Sequence, residues 1–579
     1  MIKTKIKWEK GYSSEAVLFA VQRLSEMLFF YTKDTYKVKI FNSKILLSEY
    51  LHVYNSDNDK QRKNLPHIEE EIFDSLSIDK EAQELIGKSF YYNMFKNFGN
   101  MDKKSKEKSI RYCLESLEGL KYINEIRRNL KEAINNDNEK KEIDRLLQQF
   151  VCEAKALGYD PRYINEGINR FFTKANTVVT KDSFTKFLDS FDFKRKEYEV
   201  VISEDKDLGD FSQKVLKKIG REMEVLSDDA MASIGLAGVS GKTNIRLKGT
   251  HALDYYSAAE NIRFILRSIE SYYLYFRHTV NEEEMTVYVN DGRKYREVEK
   301  MVKGVEKSAK ISGKINSEVK ANSVFVSALL RENDTMYILS RITEIHNTAL
   351  RVDSASNSLL DLWSILELLL EEETKDTDKS RIIQVIGMIE PFLANNYIKG
   401  LVDYLIQDFA RDEPVIYNEI LNKVNEGNGE DEKMFFFLTQ NSYDGLRKNV
   451  YARLDDYPLL RYRIFTLGES IKNGKQAYTL IERHIRRTSW QIYRIYRARN
   501  SIIHDGEAIS FIDDLVENLH KYIDILCDKI IDMISTEKKC ESIETAIYYI
   551  KVSHEMYLKR LTNEYKDKQT LEIMTGNYE

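Results

Sequence analysis

The chain has 579 residues, enough for several cores. Its 42% apolar and 31% charged content excludes an intrinsically disordered protein. With 88 basic and 93 acidic residues the formal net charge is −5, which excludes a global basic field; any nucleic-acid surface has to be a local patch. Only 5 prolines and 24 glycines interrupt it, so helix breakers are scarce and the expected class is mainly α.

In chain order, residues 1–180 read as helices with charged connections, solvated at 101–109 and 135–142. Residues 181–350 mix the two periods. Glu197–Ile202 reads as a strand, and Thr286–Val289 as a strand entering a tight turn at Asn290-Asp291-Gly292. Residues 252–277, rich in Tyr and Leu, read as a helix between them. The lysine-rich stretch 299–320 reads as an exposed helix or linker. From about 350 onward the pattern is helical: 357–373, 459–469, 477–504 and 509–535, with an acidic loop at 425–433. A last helix, about 541–567, reads as a tail. The expected organisation is a helical domain at 1–180, a mixed sensor or regulatory domain at 181–350, a helical bundle at 351–540 and a helical tail at 541–579.

Cys113, Cys152, Cys527 and Cys540 form no CxxC pair, so neither a disulfide scaffold nor a cysteine zinc site is expected. The basic N-terminus is followed by no apolar core of a secretory signal. The most apolar stretch, Leu359 to Leu370, is too short and carries too much charge (Asp361, Glu367) to span a bilayer. A cytoplasmic protein without membrane contact is the expectation.

Several motifs fail on spacing. Gly241-Lys242-Thr243 lacks the P-loop's upstream glycine, because Leu236 stands there; the Gly-rich stretch reads as a flexible loop. No HExxH, EF-hand or GxSxG pattern occurs, so no metal and no cofactor is expected. Arginine followed five residues later by histidine occurs four times: Arg62/His67, Arg246/His251, Arg341/His346 and Arg499/His504. Pro66 breaks the first, Gly249 lies in the second, and the third has no basic surroundings.

The fourth pair differs in context. An apolar stripe at Ile492, Ile495 and Ile502 calls for an apolar residue at 499, where Arg499 stands. A buried charge costs several kcal/mol unless paired. Asn500 and His504 are four apart and share a helix face. Asp505-Gly506 then ends the helix, leaving His504 near its C-terminus, where the dipole favours imidazolium. Arg483, Arg486, Arg487, Arg494, Arg497 and Arg499, interleaved with Trp490, Tyr493 and Tyr496, form a cationic strip with stacking groups, as a phosphate-backbone site requires. From physics alone two readings of Arg499 stand open: a phosphate ligand, or a structural partner of a carboxylate such as Glu367.

Arg499-Asn500-Ser-Ile-Ile-His504 resembles the R-N-x3-H motif of HEPN ribonucleases. Leu359-Leu-Asp-Leu-Trp363-Ser-Ile-Leu-Glu367 resembles the first helix of the HEPN-like domain of ApeA-type anti-phage proteins, and Tyr457-Pro-Leu-Leu-Arg461-Tyr-Arg463 sits where that family carries a helix. The resemblance spans about 350–535. It implies a HEPN-like bundle whose homodimer cleaves RNA, commonly tRNA or mRNA, without metal. Arg499, Asn500 and His504 would be catalytic, Glu367 and Asp505 would support them, and Arg483, Arg486, Arg487, Arg494 and Arg497 would bind RNA. A phage-derived trigger would act through the first 350 residues. The alternative is a non-catalytic HEPN-like module that binds RNA or protein.

Overall fold

A computed structural model describes residues 14–28, 41–56, 59–173, 180–237, 241–277, 285–300, 334–352, 354–371, 380–395, 397–504, 506, 509, 511–535, 540 and 542–575. The chain is mainly α with one small antiparallel sheet, as composition and period predict. It folds as two compact units, neither continuous in sequence: residues 1–32 with 119–302, and residues 33–118 with 303–579. The linear division at 180 and 350 is therefore corrected. Local periodicity reveals helices but not which distant segment a helix packs against.

In the first unit the sheet order is β2-β3-β1-β4-β5, with β1 Lys196–Asp205, β2 Met223–Leu226, β3 Lys242–Ala252, β4 Thr286–Asn290 and β5 Tyr295–Glu297. Central β1 is buried on both faces. Val200 and Ile202 pack with helix Tyr255–Arg277 through Ala258, Ala259, Ile262 and Leu266, while Val201 meets Leu226 and Met231 opposite. The predicted turn closes the β4–β5 hairpin: Gly292 takes φ +87°, and Asn290 Oδ1 accepts its N–H at 2.9 Å. Gly241 also has positive φ, but Lys242 and Thr243 open β3 rather than lying in a flexible loop. A P-loop would lead into a helix at that point. The 299–320 stretch lies, beyond residue 300, outside the described residues.

In the second unit, helix Gly474–His504 runs through two cores. Its first half, with Ala477 and Ile481, packs among helices Tyr397–Asp412, Pro414–Lys423, Glu430–Thr439 and Pro458–Ile471. Its second half, with Ile492 and Ile495, packs among Asp334–Arg351, Ala355–Glu371, Arg381–Asn395 and Ile512–Ser535. The acidic run expected as a loop divides: its end, Glu430-Asp431-Glu432, forms the first turn of Glu430–Thr439, where acid side chains favour a helix N-terminus.

The expected tail is also part of these cores. Helix Ile543–Thr562 places Ile543, Ile547 and Ile550 in one core and Tyr557 and Leu561 in the other. The segment just after its C-terminus holds the start of the long helix: Gly474 N–H donates to the Tyr565 carbonyl at 2.9 Å, and Lys475 N–H to that of Lys566 at 3.1 Å. A Cβ at Gly474 would meet the carbonyl oxygens of Leu561 and Tyr565, the latter at 2.5 Å. Backbone cannot yield as a side chain does, so Gly474→Ala should cost about 1–3 kcal/mol in chemical denaturation. An unchanged midpoint would show that this junction is loose.

Two buried histidines give this unit an acid response. Burial pushes His554 down to about 4, and its Nδ1 lies 2.9 Å from Asn395 Oδ1. Burial, with Lys521 and Arg487 adding to it, pushes His484 down to about 3; its ring stacks on Tyr397 at 3.7 Å. Below pH 6.5 the unfolded chain binds protons at these sites that the folded chain refuses. Stability is therefore lost as pH falls from about 6.5 toward 4. Removing this term with His554→Gln should reduce the loss between pH 7 and pH 5 by about 2 kcal/mol. Identical pH profiles for the two proteins would contradict it.

Candidate functional site

Helix Gly474–His504 ends where the sequence predicts, at His504, with Gly506 beyond it at φ +63°. His504 is exposed, and Asn500, one turn before it, is buried. Arg499 is partly buried: its side chain keeps 24% exposure, and that of Glu367, on helix Ala355–Glu371, keeps 32%. Both remain within reach of solvent and of a ligand.

Two of the three segments that carry the family resemblance meet here; the third, residues 457–463, packs in the other core. Arg499 Nη2 lies 3.6 Å from Glu367 Oε1, and Arg499 Nη1 donates to Asn500 Oδ1 at 3.2 Å. Glu367 is itself fixed from the core: the indole N–H of Trp363, one turn earlier, donates to Oε1 at 2.9 Å. Trp363 is fully buried, and its ring packs against Tyr496 at 5.6 Å. A chain of contacts thus runs from the core through Trp363 and Glu367 to Arg499 and Asn500. It fixes the guanidinium on the helix segment that precedes the exposed His504. Arg381 donates to the backbone carbonyl of Glu367 at 3.0 Å and places a second cation at that residue. Asp505 lies outside the described residues.

The arginine strip needs correction. Arg494 and Arg497 are buried. Arg494 pairs with Glu49 at 3.1 Å and with Glu71, and Arg497 pairs with Glu49 at 2.5 Å. Burial alone would push the Glu49 carboxyl up; the two guanidiniums outweigh it and hold it at about 2. Burial pushes Glu71 up, opposed by Arg494. Phosphate cannot reach these arginines without displacing both glutamates. The expected stacking groups are also occupied. Tyr493 is buried against the His67 ring at 3.6 Å, and Trp490 is buried with its indole N–H on Glu70 at 3.3 Å. Gln61 Nε2 donates to Ser501 Oγ at 2.9 Å on the same side. What remains on the surface is Arg483 and Arg486, with Arg487 half-buried and Arg486 over the Trp490 ring.

Helices Ser43–Asn55 and Leu65–Ile78 therefore cover this flank of the long helix, a role that its cationic sequence conceals. The run Glu69-Glu70-Glu71 was the available signal: a dense acidic patch in a chain with a buried arginine strip to neutralise. One further cluster has no sequence signature. His346 Nε2 lies 3.3 Å from Asp524 Oδ1, and His520 Nδ1 lies 3.4 Å from Asp524 Oδ2. No described helix is long and apolar enough to cross a membrane. Comparison with known protein families, with curated proteins and with solved structures gives no match for this chain.

Proposed function

We propose that this protein is a metal-independent endoribonuclease with a HEPN-like catalytic turn, acting as an RNA-cleaving effector in bacterial anti-phage defence. The observation that supports the reading is that Arg499, although paired with Glu367, stays partly exposed, with the exposed His504 five residues on along the same helix. Two of the three resembling segments converge, and Arg499 and His504 keep access to solvent.

Cleavage by 2′-OH attack requires a base for that hydroxyl, an acid for the departing 5′-oxygen and positive charge on the phosphorane. His504 would move these protons, histidine being the side chain most often used for that task. Arg499 suits the phosphate, because its fork presents several donors in one plane. Glu367 and Asn500 hold that fork in place. One chain supplies one such histidine, so a homodimer bringing two turns together would supply acid and base separately. Arg483, Arg486 and Arg487 would track the RNA backbone, and residues 1–350 would restrain the dimer until a phage-derived trigger releases it.

The test uses purified full-length protein in excess EDTA, offered tRNA, mRNA and DNA of matched length. Cleavage of RNA alone is expected, leaving 2′,3′-cyclic phosphate and 5′-OH ends. Products with 5′-phosphate ends, or equal cutting of DNA, would refute the mechanism. The alternative, a non-catalytic RNA- or protein-binding module, predicts binding through Arg483, Arg486 and Arg487 with no new ends.

A further inference from the structure

His346 stands on helix Asp334–Arg351, while His520 and Asp524 stand one turn apart on helix Ile512–Ser535. The three donor atoms lie within 4.8 Å of one another. Two imidazole nitrogens face one carboxylate, at 3.3 Å and 3.4 Å. The imidazole rings are 4.7 Å apart, centre to centre. His520 is buried, and His346 and Asp524 are partly so. His346 Nε2 is itself shielded from solvent and makes no hydrogen bond among the described residues, although a carboxylate oxygen is 3.3 Å away. A shielded ring nitrogen and a carboxylate oxygen this close but not hydrogen-bonded to each other can be joined by a shared cation.

Donor type and spacing select the cation. Two nitrogens and one oxygen are poor ligands for Ca²⁺ or Mg²⁺, which take oxygen shells, and good ones for zinc and its first-row neighbours. Metal–ligand bonds of about 2.0–2.1 Å at tetrahedral angles put neighbouring donors about 3.3 Å apart. Octahedral angles would bring them to about 3.0 Å. Each His–Asp separation is of this length, the first to Oδ1 and the second to Oδ2 of Asp524, so the carboxylate turns one oxygen toward the ion on binding. We propose that His346, His520 and Asp524 bind one zinc-class divalent ion, with a fourth position open to water, and that this ion ties helix Asp334–Arg351 to helix Ile512–Ser535.

The proposal stands apart from the ribonuclease reading, since it uses none of Arg499, Asn500 or His504. It also gives His346 a role that its own sequence surroundings do not. The ion would act as a clamp between two helices of the same core, present or absent with metal supply.

The test strips tag-free full-length protein with chelator and titrates it with cobalt(II). One equivalent should bring up the visible bands of a tetrahedral cobalt centre, and zinc should bleach them. Zinc should also raise the melting temperature of the wild type. His346→Ala and Asp524→Asn should each weaken zinc binding at least about tenfold, the lower end of what even a supporting group contributes to a metal site, and lose the thermal shift. Should His346→Ala fail to fold, His346→Gln keeps the volume and removes the ligand. Absent cobalt bands, or equal zinc affinity in wild type and variants, would overturn the site. So would variants that melt lower than wild type to the same extent with and without zinc, which would make the cluster an ion pair only.

Discussion

His504→Ala should reduce RNA cleavage about 10²–10⁴-fold, the range for loss of a proton-transfer group, with the melting temperature unchanged. The side chain is exposed at a helix end and holds no core contact, and substitutions at such positions move stability little. A merely structural histidine would show the reverse, a lower melting temperature with cleavage intact. Arg499→Ala should cost about 10²–10³-fold in kcat, as loss of one charge-stabilising donor does. Arg499→Lys should recover only part of this, because an ammonium cannot make the planar contacts of a guanidinium. Glu367→Gln tests the support. It keeps an oxygen for the Trp363 indole and removes the charge facing Arg499, so it should lower kcat less than Arg499→Ala, with KM unchanged. Turnover assays at saturating RNA separate these outcomes.

Glu49→Ala should destabilise the fold by about 3–5 kcal/mol, the cost of leaving buried charge unpaired. Glu49 is the shared partner of Arg494 and Arg497, and each of those guanidiniums already holds an Nη1 without a hydrogen-bond partner. Removing the carboxylate leaves Glu71 facing two cations. Glu71 cannot reach both as Glu49 does, since only Arg494 is paired with it. The depressed Glu49 carboxyl fixes the pH window. Its folded value near 2 lies below the ordinary 4.5, so its contribution is complete above about pH 4.5 and fades as pH falls toward 2. Arg486→Ala together with Arg483→Ala should leave chemical denaturation unchanged and weaken RNA binding in a salt-dependent way. The same helix thus carries arginines of two kinds. A Glu49→Ala protein with wild-type stability would undo that sorting.

That sorting is also where the sequence was least legible. Helix Gly474–His504 and its end at His504 follow from the apolar period and the Asp505-Gly506 stop. The apolar stripe that Arg499 interrupts left two readings open, a phosphate ligand or a partner for a carboxylate such as Glu367; the structure places Glu367 3.6 Å from it. Charge density, however, carries no information on direction. Arg494 and Arg497 read as surface because nothing local distinguishes them from Arg486. Their partners, Glu49 and Glu71, lie more than 400 residues away in sequence. Trp490 and Tyr493 failed for the same reason: an aromatic beside an arginine serves a base or a neighbouring helix equally well. The strands around Val200 and Val287 and the turn at Gly292 were legible because two-residue alternation and an Asn-Asp-Gly turn are local. The division of residues 1–180 between two units was not, since it depends on which distant core each helix joins. His346 shows the limit clearly. As one of four Arg/His spacings it was set aside for want of basic surroundings, and its relevant neighbours stand on a helix that begins at Ile512.

The central claim is tested most directly in cells. Wild type, Arg499→Ala and His504→Ala are expressed in a bacterial host with and without phage, at matched protein level, and RNA 5′-OH ends are sequenced. New 5′-OH ends after challenge, together with protection, are expected in the wild type and in neither variant. The positions of the ends would name the RNA. Protection by both variants equal to wild type, or identical end maps in all three, would contradict a catalytic role for this turn and return the arginine and histidine to structural duty.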